Sequence, residues 1–117
     1  MTINKKYIDQ FILSTERAAY GAALFKGKGN KIAADQSAVD EMRAELNKID
    51  MQGRIVIGEG ELDKAPMLYI GEKVGKGTGQ EFDIAVDPLE GTNFVANNLP
   101  NALSVMAITK KDNLFHA

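Results

Sequence analysis

The stretch Asp83-Ile84-Ala85-Val86-Asp87-Pro88-Leu89-Glu90-Gly91-Thr92 decides how this chain is read. A short apolar run ends in two carboxylates three residues apart, surrounded by a proline, a glycine and a hydroxyl. Ile84 to Val86 reads as a buried strand. Pro88 cannot donate to a continuing ladder, so the strand is expected to stop near Asp87. Carboxylates at the end of an apolar strand are costly to desolvate unless a cation meets them. Hard oxygen ligands of this kind suit Mg²⁺ or Mn²⁺. An ordinary strand-to-turn junction is the alternative, because Asp, Pro and Gly are also common turn residues.

A second acidic cluster lies upstream and favours the first reading. Ile55-Val56-Ile57 is another β-branched run, followed by Gly58-Glu59-Gly60-Glu61-Leu62-Asp63. The glycines around Glu59 allow a sharp turn and a close approach to a ligand. Parallel strands of an α/β sheet end on one side, where ligands bind. Parallel neighbours would therefore bring Glu59 and Asp87 together, with Glu61 and Asp63 read as solvated loop charges. The third acid, Asp35, reads on local grounds as the N-cap of a helix. Lys31, four residues earlier, reads as a solvated cation.

Three blocks together resemble the N-terminal part of class II fructose-1,6-bisphosphatase, within the lithium-sensitive, metal-dependent sugar and inositol phosphatase superfamily. They are Asn30 to Asp35, Ile57 to Gly75 and Asp83 to Thr92. The short motif Asp87-Pro88-Leu89-Glu90-Gly91-Thr92 points to the superfamily; the long middle block and Glu at position 90 point to the class II enzyme. The resemblance implies an α/β, α+β layered fold, the N-terminal portion of the sugar-phosphatase sandwich with helices packed on a mixed sheet. It places Asp35 and Glu59 at one divalent metal, Mn²⁺ or Mg²⁺, and Asp87 and Glu90 at a second. Thr92 matches the hydroxyl that positions the attacking water. Lys31 and Asp63 match polar residues near the reacting phosphate, and Glu90, Gly91 and Thr92 match a segment that contacts substrate.

The implied activity is hydrolysis of the 1-phosphate of fructose 1,6-bisphosphate, in gluconeogenesis or carbon fixation, with sedoheptulose 1,7-bisphosphate as a second candidate substrate. At 117 residues the chain is shorter than the family's enzymes. Residues 1–117 are thus expected to be the N-terminal part of a sugar-phosphatase domain, truncated before its C-terminal half and lacking a further glutamate ligand. A catalytically silent fragment with a partial metal or phosphate site is the alternative function. The resemblance also implies a homo-oligomer in the full-length family.

Bulk properties agree with a soluble cytoplasmic protein. Fourteen basic and sixteen acidic residues give a formal charge of −2, with no basic footprint for nucleic acid. The chain has no cysteine, hence no disulfide scaffold and no thiolate metal site. No apolar run is long enough to span a bilayer, and no signal-peptide pattern opens the sequence.

The remaining elements follow from periodicity. Tyr7, Ile8, Phe11, Ile12, Thr15, Ala18, Ala19, Ala22 and Ala23 recur at helical spacing, with Gly27-Lys28-Gly29 after them. Ala38, Val39, Met42, Leu46 and Ile49 define a second helix, and Gly53 precedes a strand at 54–58. Pro66 to Gly75 fits a strand or extended segment over a helix, and Gly75 to Gly79 a connecting turn. A short helix or turn is expected over 93–98, a strand over 103–108 and a hairpin turn over 110–113. His116, the one histidine, has no partner motif.

Overall fold

The structure, a computed structural model, describes residues 3–25, 27–58, 68–90 and 103–112. Helix α1 (Lys5–Ala23) starts at Asn4, whose side chain accepts a hydrogen bond from the Lys6 amide at 2.9 Å. This satisfies one of the donors that a helix start leaves free. Its buried face consists of Phe11, Ser14, Ala18, Gly21 and Ala22. The helical spacing is as expected, but the core face is rotated: Ile8 and Ile12 remain exposed. The reason is the neighbour. Small residues let helix α2 come so close that a Cβ on Gly21 would lie 2.6 Å from the Ser37 carbonyl oxygen, and this seam sets which face turns inward.

Helix α2 (Lys31–Leu46) is capped by Asn30, whose side-chain oxygen accepts from Ala33 N at 3.0 Å. The expected N-cap role of Asp35 is therefore wrong. The helix begins five residues earlier, because Asn30 is itself a good cap, and Asp35 sits in the second turn. Ala34, Ala38, Val39, Met42 and Leu46 are buried. Ile49 is also buried, but beyond the helix, in a turn where its amide bonds Leu46 O at 3.1 Å.

Four strands form one mixed sheet in the order β2-β1-β3-β4: β1 (Met51–Ile57), β2 (Lys73–Val74), β3 (Gln80–Glu90) and β4 (Leu103–Lys110). β1 and β3 are parallel, while β2 and β4 pair antiparallel to β1 and β3. Helices packed on this mixed sheet give the α/β layered architecture expected. The core lies between: Phe82 meets Tyr7 and Phe11 edge-on, with centroids 5.0 and 5.4 Å apart, within the range of favourable aromatic pairs. Ile55, Ile84 and Val86 continue it towards α2.

Several strand boundaries differ from expectation. β1 starts at Met51 and holds Gly53 within it, paired to both Val74 and Phe82, where Gly53 was expected ahead of a strand over 54–58; β4 runs on to Lys110, two residues past the expected end. β3 does not stop at Asp87 but runs through Pro88 to Glu90. Pairing with β1 ends at Ala85, and the β4 register shifts between Asp87 and Glu90. Pro88 thus lies at a bulge with no β1 partner, where its missing donor costs little. Of the Pro66–Gly75 segment, only Lys73 and Val74 pair as a strand; residues 68–72 form a turn, and 66–67 lie outside the described residues. Gly75 to Gly79 is a connector, as expected. Gly75 has φ +96°, and a side chain there would meet Met51 O at 2.5 Å. The turn after β4 occupies Lys111 and Asp112, and the expectations over 93–98 and at His116 fall outside the described residues. Among the described residues no helix is long and apolar enough to cross a membrane.

Candidate functional site

Because β1 and β3 are parallel, their carboxyl ends lie on the same edge of the sheet. The last β1–β3 partners are Ile57 and Ala85. Asp87 comes two residues later, where β3 has lost β1 as a neighbour, and is half-buried. Helix α2 packs on the sheet through Ala38, Val39, Met42 and Leu46 and carries Asp35 in its N-terminal half.

Asp35 and Asp87 lie within electrostatic reach of each other there. Burial pushes the Asp35 carboxyl above its ordinary value, and the Asp87 charge raises it further. Both causes disfavour a second negative charge. Two half-buried acids, delivered by different elements and repelling each other, form an environment that a divalent cation would stabilise, and hard oxygen donors suit Mg²⁺ or Mn²⁺. The described residues therefore fit such an ion, although they supply only part of a coordination sphere. Among them, no three His, Cys, Asp or Glu side chains come together at one point.

The other expected site residues are placed unevenly. Lys31 is the first residue of α2, one turn ahead of Asp35, and Glu90 ends β3 opposite Leu103 in the β4 register; their side chains lie outside the described residues. Glu59, Asp63, Gly91 and Thr92 also lie outside them. Of the expected acids, the structure thus couples Asp35 and Asp87 through their charges. At Gly58 a side chain would run into the Leu68 carbonyl and, at 2.6 Å, Ile55 Cγ2. The glycine at 58 accommodates a close approach of chain to chain.

Two ion pairs escaped the sequence reading. Asp83 is fully buried in β3, where it accepts from Asp112 N at 2.7 Å and from Arg54 Nη2 at 3.2 Å. A single acid between Phe82 and Ile84 is a signal that could have found it, since a buried carboxylate requires a donor. Arg43 of α2 binds Glu72 through two bonds, Nε to Oε2 at 2.8 Å and Nη2 to Oε1 at 3.0 Å. The partners are 29 residues apart in an unremarkable charge pattern, so no local signal marks them.

Comparison with known proteins locates the chain among relatives. The sequence profile of "Bacterial fructose-1,6-bisphosphatase, glpX-encoded" matches residues 5–117. A protein of Synechococcus sp. (strain CC9605), named D-fructose 1,6-bisphosphatase class 2/sedoheptulose 1,7-bisphosphatase, is 51% identical over 115 residues, covering 98% of this chain and 34% of that protein. A protein of the same name from Prochlorococcus marinus (strain MIT 9303) is 50% identical with the same coverage. The chain thus spans about a third of the length of these relatives. Among solved structures, an extragenic suppressor from Pyrococcus furiosus superposes with a TM-score of 0.60 at 16% identity, covering 93% of this chain and 42% of that one. That likeness supports the fold.

Proposed function

The chain belongs to the bacterial, glpX-encoded fructose-1,6-bisphosphatase family, and on that premise we propose that it carries the metal-binding acids of a sugar-bisphosphate phosphatase. The single observation that supports this most is the convergence of Asp35 and Asp87 at the carboxyl edge of the parallel strands. In this reading residues 1–117 are the N-terminal part of a sugar-phosphatase domain, and the substrate is fructose 1,6-bisphosphate, hydrolysed at its 1-phosphate. The relatives' names add sedoheptulose 1,7-bisphosphate. The longer protein would work as a homo-oligomer in the cytoplasm.

Asp35 and Asp87, with Glu59 and Glu90 of the same acidic blocks, would hold Mn²⁺ or Mg²⁺. When bound, divalent ions neutralise phosphate charge, lower the pKa of a bound water and stabilise the leaving alkoxide. The chain's own residues do the positioning. Thr92 orients the attacking water by a hydrogen bond. Lys31 offsets phosphate charge, Asp63 helps to align the reacting group, and the backbone from Glu90 to Thr92 contacts substrate oxygens. Phosphate-monoester hydrolysis is among the slowest uncatalysed reactions, so charge neutralisation and orientation at this edge have a large barrier to lower.

Mn²⁺ titration of the chain and of its Asp87→Ala variant tests this. Asp87→Ala should weaken binding by at least about tenfold, comparable with the loss of a supporting partner at a metal site. Equal affinity would remove Asp87 from the site. In a protein extended to the family's length, Thr92→Ala should lower kcat far more than it raises KM, because its hydroxyl acts on the water. An unchanged kcat would sink that role. A second reading, a silent partial site, requires metal binding without turnover in the chain alone.

A further inference from the structure

The ion pair of Arg43 and Glu72 does more than join two surface charges. Glu72 is largely buried, and its carboxylate also accepts from the Tyr69 amide at 3.3 Å. Its backbone is tied to β1: Glu72 O accepts from Ile55 N at 2.9 Å, and the preceding Gly71 N donates to Ile55 O at 2.7 Å. Three residues after Ile55, Gly58 meets the Leu68 carbonyl so closely that no side chain fits. Arg43 belongs to α2, two turns beyond Asp35. One carboxylate therefore links the helix bearing Asp35 to the carboxyl end of β1, the edge on which Asp87 of β3 also lies.

Apolar packing alone fixes such a helix poorly along its length, because contacts such as Met42 and Leu46 on a sheet are non-directional. A two-bond guanidinium–carboxylate pair is directional and specifies both distance and orientation. We infer that Arg43 and Glu72 are positioning residues that set the stance of α2 on the sheet and thereby the Asp35–Asp87 separation. This rests on the metal-site reading above for its functional meaning, and on the two-bond pair and the β1 ties for its geometry.

Since the chain has no cysteine, Ala44→Cys on α2 and Ala107→Cys on β4, both exposed positions, provide two unique spin-label sites. Pulsed electron–electron distance measurement then reads how α2 stands on the sheet without any metal. Glu72→Gln, which keeps size and the acceptor for Tyr69, should shift or broaden the distance distribution and lower Mn²⁺ affinity about tenfold. Arg43→Lys keeps the charge but loses the fork, and should do the same to a smaller degree; it also serves if Glu72→Gln does not fold. A purely stabilising role would lower the melting temperature but leave the distances and Mn²⁺ affinity of the folded protein unchanged, and that result overturns the inference. Shifted distances with no Mn²⁺ bound by any form, wild type included, would uphold the brace and overturn the metal-site reading instead.

Discussion

Asp35, in the second turn of α2, and Asp87, beyond the last β1 pairing of β3, stand near enough that the charge on Asp87 adds to burial in holding the Asp35 proton. The two residues are 52 positions apart in the sequence, and only the placing of helix α2 against the sheet brings one within reach of the other's charge. The relationship has a measurable consequence in the metal-free protein.

The folded state binds the Asp35 proton more tightly than the unfolded chain does, since the folded value is raised. Below the ordinary carboxylate range both states carry the proton, and Asp35 costs nothing. As pH rises through that range towards the raised folded value, the unfolded chain loses its proton first and stability falls. Asp35→Asn should therefore raise the metal-free melting temperature at neutral pH, and the gain should vanish in acid. Melts across pH without and with Mn²⁺ check this. With Mn²⁺ the order should reverse, because the wild type gains a bound ion. A variant no more stable than wild type at neutral pH without metal would contradict the assigned repulsion.

Asp83 offers a second measurement. Its carboxylate, fully buried, takes the Asp112 amide and Arg54 together and so ties β1, β3 and the turn after β4. Asp83→Ala should cost about 3 kcal/mol, the lower end for breaking a buried pair, because Arg54 remains 35% exposed and can be hydrated. Asp83→Asn keeps an acceptor for the Asp112 amide and should cost less. Urea unfolding of both variants settles the order; equal losses would mean that charge on Asp83 matters more than the amide bond.

Gly21 tests the helix seam. Replacing a helical glycine with alanine normally gains about 1 kcal/mol from backbone entropy. Here the new Cβ would meet Ser37 O at 2.6 Å, a backbone atom that cannot swing aside. Overpacking costs roughly 1–3 kcal/mol, so Gly21→Ala should be destabilising on balance. Because Ser37 lies two residues past Asp35 on the same helix, Mn²⁺ affinity should also fall. A stabilised variant would show that the two helices can separate cheaply.

Much of the fold was legible in local patterns. β-branched runs at Ile55–Ile57 and Ile84–Val86 marked the two central strands, and apolar residues from Ala38 to Leu46 at helical spacing marked the buried face of α2. What went astray locally has a physical cause. Asp35 looked like a cap because Asp caps well, yet Asn30 began the helix earlier. Pro88 looked like a strand end because proline cannot donate, yet the strand bulges there with no β1 neighbour to need the donor.

The sequence by itself determined the family and the candidate acids, since motif order and residue chemistry are properties of the chain. Tertiary structure alone decided that Asp35 comes within reach of the Asp87 charge, that the core side of α1 excludes Ile8 and Ile12, and that Arg43 reaches Glu72. Each depends on where one element lies against another. Such placement arises from the packing of Gly21 on Ser37, Phe82 on Phe11 and α2 on the sheet together with directional pairs such as Arg43 with Glu72, and no spacing along the chain encodes it locally.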